Sequence, residues 1–255
     1  MILTDTHTHL YSKEFDNDRK QTIQKAIDQK ITRFFIPAID SGHTSSMYEL
    51  KKIFPGNIFL MMGLHPTSVK ENFEEELQHV EEQFATRDFY AVGETGIDLY
   101  WDKTFLKQQQ EAFRFQIRLA KRKNLPVVIH CRDAFDEIFE VLESEKDDEL
   151  FGIFHCFTGD YEQAKTAMSY NMKLGIGGVV TFKNGGIDKF LDMIPIENIV
   201  LETDAPYLAP APYRGKRNES SYIEIIARKI ADIYGLNLNE VAEITTQTSR
   251  SVFKV

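Results

Sequence analysis

Short apolar runs alternate with long amphipathic stretches along the whole chain, and this alternation constrains the fold more than any other feature. The runs are Ile2-Leu3, Arg33-Phe34-Phe35-Ile36, Ile58-Phe59-Leu60-Met61-Met62, Tyr90-Ala91-Val92, Val127-Val128-Ile129, Gly152-Ile153-Phe154, Leu174-Gly175-Ile176 and Ile199-Val200-Leu201. Each is near-continuously apolar, as expected for a parallel strand buried on both faces. Between them lie helical patterns, one from Phe105 to Lys123 with Phe105, Gln109, Phe113, Ile117 and Ala120 at three- and four-residue spacing. Others begin near Asp16, His43, Phe73, Asp133, Tyr161 and Ile187, and two more, Tyr222–Tyr234 and Leu238–Val252, follow the last strand. Asn124 with Pro126 supplies a stop signal for the Phe105 helix, and Asp133 and Asp160 are candidate caps.

Eight β-then-α units in 255 residues predict an α/β fold, a single (β/α)8 TIM barrel spanning residues 1–255. A doubly wound open sheet is the alternative on pattern alone. No linker, low-complexity segment or repeat of 20–50 residues divides the chain.

The positions of the histidines and isolated carboxylates carry the chemistry. His7 and His9 follow the first strand with one residue between them, a spacing that points both imidazoles to the same side of extended backbone. His65 follows the third strand, Glu94 the fourth, His130 the fifth, His155 the sixth, and Asp204 the eighth. Five of the seven histidines therefore stand at strand ends, which in a barrel converge on the mouth where active sites sit. Taken singly, each has a structural reading: a hydrogen-bonded histidine, a helix cap, a turn residue before Pro206. As a set on one rim, with no sulfur ligand apparent, they point to a metal site of nitrogen and oxygen donors, suited to zinc, manganese, iron or magnesium. The number of candidate ligands suits two cations sharing a carboxylate, which could clamp the attacking and leaving oxygens of a displacement.

After Asp204 comes Arg214-Gly215-Lys216-Arg217-Asn218-Glu219, a concentration of cations in a chain with a net charge of −9. Beside a metal site it reads as a phosphate grip; on its own it would be a solvated loop. Gly175, Gly177 and Gly178 admit either phosphate oxygens or a plain turn, and Tyr100 and Trp101 either stack a base or pack on their own loop. Arg114, Arg118, Lys121, Arg122 and Lys123 read as an outer solvated face. Cys131 and Cys156 have no Cys-x-x-Cys zinc spacing and are expected to face away from the mouth as buried apolar groups. Free thiols, together with a start lacking a signal-peptide pattern, predict a cytoplasmic protein; no apolar run is long enough to span a membrane. The net charge opposes wholesale electrostatic capture of nucleic acid but leaves room for a local basic patch.

Several segments together resemble the TatD-type metal-dependent deoxyribonucleases, relatives of the amidohydrolase superfamily. They are Thr4-Asp5-Thr6-His7-Thr8-His9-Leu10, Gly63-Leu64-His65-Pro66, Gly93-Glu94-Thr95-Gly96-Ile97-Asp98, His130-Cys131-Arg132, His155-Cys156-Phe157-Thr158-Gly159, Glu202-Thr203-Asp204-Ala205-Pro206-Tyr207 and the Arg214–Glu219 run. The resemblance covers essentially the whole chain and departs from the usual pattern at Thr95, Ser220 and Thr248. It implies a (β/α)8 barrel with His7, His9, Glu94, His130, His155 and Asp204 as ligands of two divalent metal ions, Glu94 bridging. Magnesium or manganese is the expected metal, and zinc also fits. It also implies that His65 and the arginine loop, through Arg214 and Arg217, touch the substrate.

The expected activity is 3′→5′ exonucleolytic hydrolysis of single-stranded DNA from its 3′ end, with Asp204 and Glu94 in catalytic roles. The alternative on the same residues is a D-aminoacyl-tRNA deacylase, an ester hydrolase acting on the 3′ end of tRNA. No obligate protein partner is evident from the sequence.

Overall fold

A computed structural model describes residues 1–255. Eight strands alternate with helices: β1 (Leu3–Asp5), α1 (Arg19–Asp28), β2 (Ile31–Ile36), α2 (Thr44–Ile53), β3 (Ile58–Leu60), α3 (Phe73–Thr86), β4 (Val92–Asp98), α4 (Leu106–Lys123), β5 (Val127–Arg132), α5 (Phe135–Glu145), β6 (Gly152–Phe154), α6 (Tyr161–Ser169), β7 (Met172–Ile176) and β8 (Ile199–Leu201), with α7 (Ile223–Tyr234) and α8 (Leu238–Phe253) at the end. Every strand pair is parallel, in the orders β1-β2-β3 and β4-β5-β6-β7-β8. Backbone hydrogen bonds join the two sheets along both seams. Met62 N donates to Ala91 O at 3.2 Å and Gly93 N to Met62 O at 2.9 Å; opposite, Thr6 N reaches Leu201 O at 3.0 Å and Asp204 N reaches His7 O at 2.9 Å. The strands thus form the ring of a (β/α)8 barrel.

Alternation along the strands explains how apolar filling and polar site share one interior. Phe35, Met61, Ala91, Val128, Ile153 and Val200 form a compact apolar cluster with Val252 and Phe253 of α8. The Phe253 ring stacks on Phe35 at 3.7 Å and closes this end of the barrel. Two residues further along the same strand faces come His130 after Val128, His155 after Ile153 and Glu202 after Val200. The apolar runs seen in the sequence fill the bottom of the barrel, and the polar residues that end them line its top. A much larger cluster, drawing on β1 through α8, packs the helices around the strands.

Helix ends follow local chemistry. Asp160 and Gln163 form a reciprocal capping box on α6, as do Asn237 and Glu240 on α8. Asn124, at φ 52°, ends α4 in the left-handed region.

Two expectations need correction. Asp133 does not cap α5: it takes φ 54°, turning the chain, and the helix begins after Ala134 without a side-chain cap. The helix expected near Ile187 is instead a series of 3-10 turns, Ile187–Lys189, Leu191–Met193 and Ile196–Asn198. The first two turns are confined between Gly186, at φ 80°, and Pro195, a stretch too short to repay helix nucleation, and the third follows Pro195.

Candidate metal centre and active-site cleft

Glu94 stands at the centre of the mouth. In β4 the register against β5 shifts between Val92 and Thr95, so a bulge carries Glu94 and aims its carboxylate inward. Gly96 allows the two strands to close up beyond it, since a Cβ there would lie 2.0 Å from His130 O. The two Glu94 oxygens face different imidazoles. Oε2 is 2.7 Å from His7 Nε2 and 3.0 Å from His155 Nε2, while Oε1 is 2.9 Å from His65 Nε2. Asp204 Oδ1 lies 3.4 Å from His9 Nε2 and 3.9 Å from His7 Nε2.

Three groupings bring potential ligand atoms within 4.8 Å of one another: His7, His9 and Glu94; His7, His155 and Asp204; and His65, Glu94 and His130. The seven residues expected at the rim thus come together from six different strand ends. His65, expected at the substrate, lies as close to Glu94 as the others do.

The donors fit a cation. Both ring nitrogens of His7 and Oε2 of Glu94 are fully buried without a hydrogen-bond partner, although His7 Nε2 and Glu94 Oε2 are only 2.7 Å apart. Such an arrangement, close but out of line for a hydrogen bond, leaves lone pairs converging on a shared point, and buried polar atoms are otherwise rarely left unpaired.

The protonation states point the same way. Burial and the neighbouring His65 push His130 down to about 4, so it is a neutral donor at pH 7. Burial likewise lowers His7. Burial opposes ionisation of Glu94, but the His155, His7 and His65 imidazoles outweigh it and hold the carboxyl well below its ordinary range. Asp204 is also lowered: a hydrogen bond from His9 and the nearby imidazoles overcome burial. His155, between Glu94 and Glu202, is raised well above its ordinary value despite burial. A bound cation would take the place of that proton.

A further layer of residues, not assigned by sequence reasoning, orients these rings. Asp98 Oδ2 is 2.9 Å from His130 Nε2, which leaves Nδ1 as the nitrogen available to a metal. Glu202 Oε1 lies 3.3 Å from His155 Nδ1 and accepts from Cys156 N at 2.5 Å. Tyr11 Oη contacts His9 Nδ1 at 3.1 Å and donates to Pro37 O. Gln116 of α4 brackets Leu64, accepting from its N and donating to its O, and also donates to Thr95 Oγ1 at 2.6 Å; it thereby anchors the segment bearing His65. Asp5 accepts from Thr203 N and Oγ1, and burial pushes its carboxyl up to about 7. Asp98, Glu202 and Asp5 lie inside the quoted motifs, but spacing alone gives no sign of which ring each one holds.

The mouth opens into a cavity of about 990 Å³ lined by the histidines and carboxylates together with Trp101, Arg132, Phe182, Arg214 and Lys216. The cationic loop divides. Arg214 faces this cavity, its guanidinium 4.5 Å from the Phe182 ring centre. Arg217 does not: it makes a two-pronged pair with Asp18 at 2.7 and 2.6 Å and donates to Glu14 O, tying the loop to the start of α1. The expectation that Arg217 touches substrate is therefore replaced by an anchoring contact, because two carboxylates, Asp18 and Glu219, already engage its guanidinium.

The cysteines also depart from expectation. Both Cys131 and Cys156 line the cavity instead of facing away, but burial holds Cys131 up at about 12 and Cys156 well above the ordinary thiol value. Close packing accounts for Gly175 and Gly178: a Cβ would lie 2.2 Å from Glu202 Oε2 at the first and 2.1 Å from Leu208 O at the second. On α4, Arg118, Lys121 and Arg122 pair with Glu145, Asp147 and Glu81 on the outer face.

Comparison with known proteins agrees with this geometry. Residues 4–254 match the family model described as TatD related DNase. The chain belongs to this family. Over the full length of both proteins it is 38% identical to the uncharacterized metal-dependent hydrolase YabD of Bacillus subtilis. It is 29% identical to the 3′-5′ ssDNA/RNA exonuclease TatD of Pantoea vagans, with 98% of this chain and 99% of that protein aligned. The crystal structure of YjjV, a TatD homolog from Escherichia coli, superposes with a TM-score of 0.93 at 25% identity, covering 99% of this chain and 98% of that one. The protein is thus a TatD-family metal-dependent hydrolase with the family's barrel.

Proposed function

We propose that the site holds two divalent cations bridged by Glu94 and hydrolyses phosphodiester bonds at the 3′ end of single-stranded DNA. The observation that carries this reading is that two of the ligand groupings, His7 with His9 and His65 with His130, have Glu94 in common. His7, His9 and Asp204 with Glu94 would hold one ion, and Glu94, His130 and His155 the other, with His65 beside Oε1. The oxygen and nitrogen donors suit magnesium or manganese and admit zinc. Bound metals supply Lewis-acid activation of water and neutralise phosphate charge.

The chain's own residues do the rest. Asp204, ionised at neutral pH and facing the cavity, orients the attacking water and accepts its proton. The water oxygen bonds to phosphorus, the ester P–O bond breaks, and the departing alkoxide takes a proton from solvent. His65 and Arg214 offset charge on the non-bridging oxygens. The name of the Pantoea relative supports the choice of nucleic acid as substrate.

The test gives one metal-loaded preparation 3′-ended single-stranded DNA and, separately, D-aminoacyl-tRNA, with Asp204→Asn beside each. Nucleotide release from the 3′ end, lost in the variant, is the expected result. Intact DNA with rapid loss of the aminoacyl group would move the same site to ester hydrolysis.

A further inference from the structure

One wall of the cleft carries an aromatic surface that the reaction above does not use. Trp101, the chain's single tryptophan, is 69% exposed, and Tyr100 beside it is 54% exposed. The two rings meet edge to face with centres 4.9 Å apart. The Arg132 guanidinium, at the end of β5, lies 3.8 Å from the Tyr100 ring centre and 5.3 Å from that of Trp101. Loop aromatics ordinarily pack onto their own loop, but here the support comes from one side only and the indole stays open to the cavity it lines.

The turn is also held in place. Asp98 Oδ1 accepts from the backbone N of Tyr100 at 3.0 Å and of Trp101 at 3.2 Å, while its other oxygen, Oδ2, contacts His130. One carboxylate therefore fixes both the aromatic pair and a ring of the candidate metal centre.

In a ring of eight strands, the loops after β4 and β8 stand opposite each other. Trp101, on the loop after β4, thus stands across the cleft from Arg214 and Lys216, on the loop after β8, and Arg132 at the end of β5 lines the same cavity with the histidines and carboxylates. An open aromatic face on one side and phosphate-binding cations on the other match the two surfaces of a single-stranded nucleic acid, its bases and its backbone.

We propose that Trp101, braced by Tyr100 and Arg132, is a stacking platform for a base of the bound strand, setting that base against the indole while Arg214 and Lys216 hold the phosphates. This rests on the nucleic-acid reading above and adds to it a base subsite that is tolerant of sequence, because every base presents a π-face.

The chain's single tryptophan makes the platform directly observable. Metal-loaded protein is titrated with an oligothymidylate whose phosphorothioate linkages resist cleavage, and in parallel with an oligomer of equal length built of abasic residues. Stacking should quench Trp101 emission with oligothymidylate and leave it unchanged with the abasic strand, binding of both being followed by anisotropy of an end label. In turnover with the cleavable strands, Trp101→Ala should raise KM for oligothymidylate relative to the abasic oligomer by roughly tenfold or more. Trp101→Phe should restore most of that difference. Unchanged emission while oligothymidylate binds, or an equal rise in KM for both strands, would overturn the platform. Wild-type protein that neither binds nor cleaves either strand would instead overturn the nucleic-acid reading beneath it.

Discussion

Asp98 contacts Nε2 of His130 and Glu202 contacts Nδ1 of His155, so a metal centre built on these rings would depend on carboxylates that need not touch the metal. Residues that orient metal-binding imidazoles typically contribute 10–100-fold in affinity. Asp98→Asn, which keeps a side-chain oxygen for the Tyr100 and Trp101 backbone but loses the acceptor facing His130, should weaken metal binding by about that factor. Competition against a chelator of known affinity measures it, and unchanged affinity would show that Asp98 does not orient a metal-binding ring. The rim histidines, Glu94 and Asp204 were legible in the sequence because they end apolar runs, and a barrel brings such ends together. Gln116 was not, because it sits in the middle of an amphipathic helix and nothing in its spacing reveals that it brackets Leu64. Arg217 was misread for a related reason: its partner Asp18 lies far away in the sequence.

At the scale of elements, the close approach of β4 to β5 depends on the absence of a side chain at Gly96, which also lies at φ 136°. Gly96→Ala must push the strands apart or distort the backbone, and should destabilise the fold by about 1–3 kcal/mol or more. Gly56→Ala, where a Cβ meets nothing within 4 Å, should change stability by less than about 0.5 kcal/mol. Urea unfolding of both variants checks the contrast; equal effects would mean that the β4–β5 approach is not constrained there. The eight strands and most helices were legible from periodicity, and the one lost helix lay between Gly186 and Pro195, where chain breakers outweigh an apolar pattern.

The loop after β8 is also held at this scale, by Arg217 on Asp18. The Arg217 hydrogen bond keeps the Asp18 carboxyl below its ordinary 3.8, so the pair's stabilisation is present above that value and is lost as pH falls through the lowered one. Both side chains are partly exposed, so the pair is worth at most about 1 kcal/mol. Asp18→Asn should therefore barely change the melting temperature at pH 7 while loosening Arg214, raising KM for single-stranded DNA a few-fold. An unaltered KM would show that the anchor does not set the loop.

The molecule as a whole carries a net charge of −9, and no helix is long and apolar enough to cross a membrane. Against that negative surface, Arg132, Arg214 and Lys216 are the cations that line the cleft. Binding should accordingly depend on short contacts at a strand end and not on long tracking. With about 0.7 counterions released per phosphate of a single strand, three contacts give a log–log salt slope no steeper than about −2. A slope several times steeper would place the strand on a surface outside this cleft.

The proposal that two cations share Glu94 is most directly tested by titrating manganese into metal-stripped protein, counting bound ions per chain while following nucleotide release from the 3′ end of single-stranded DNA. Release should rise with the second equivalent and vanish in Glu94→Gln. Full activity at one equivalent, or activity undiminished in Glu94→Gln, would contradict it.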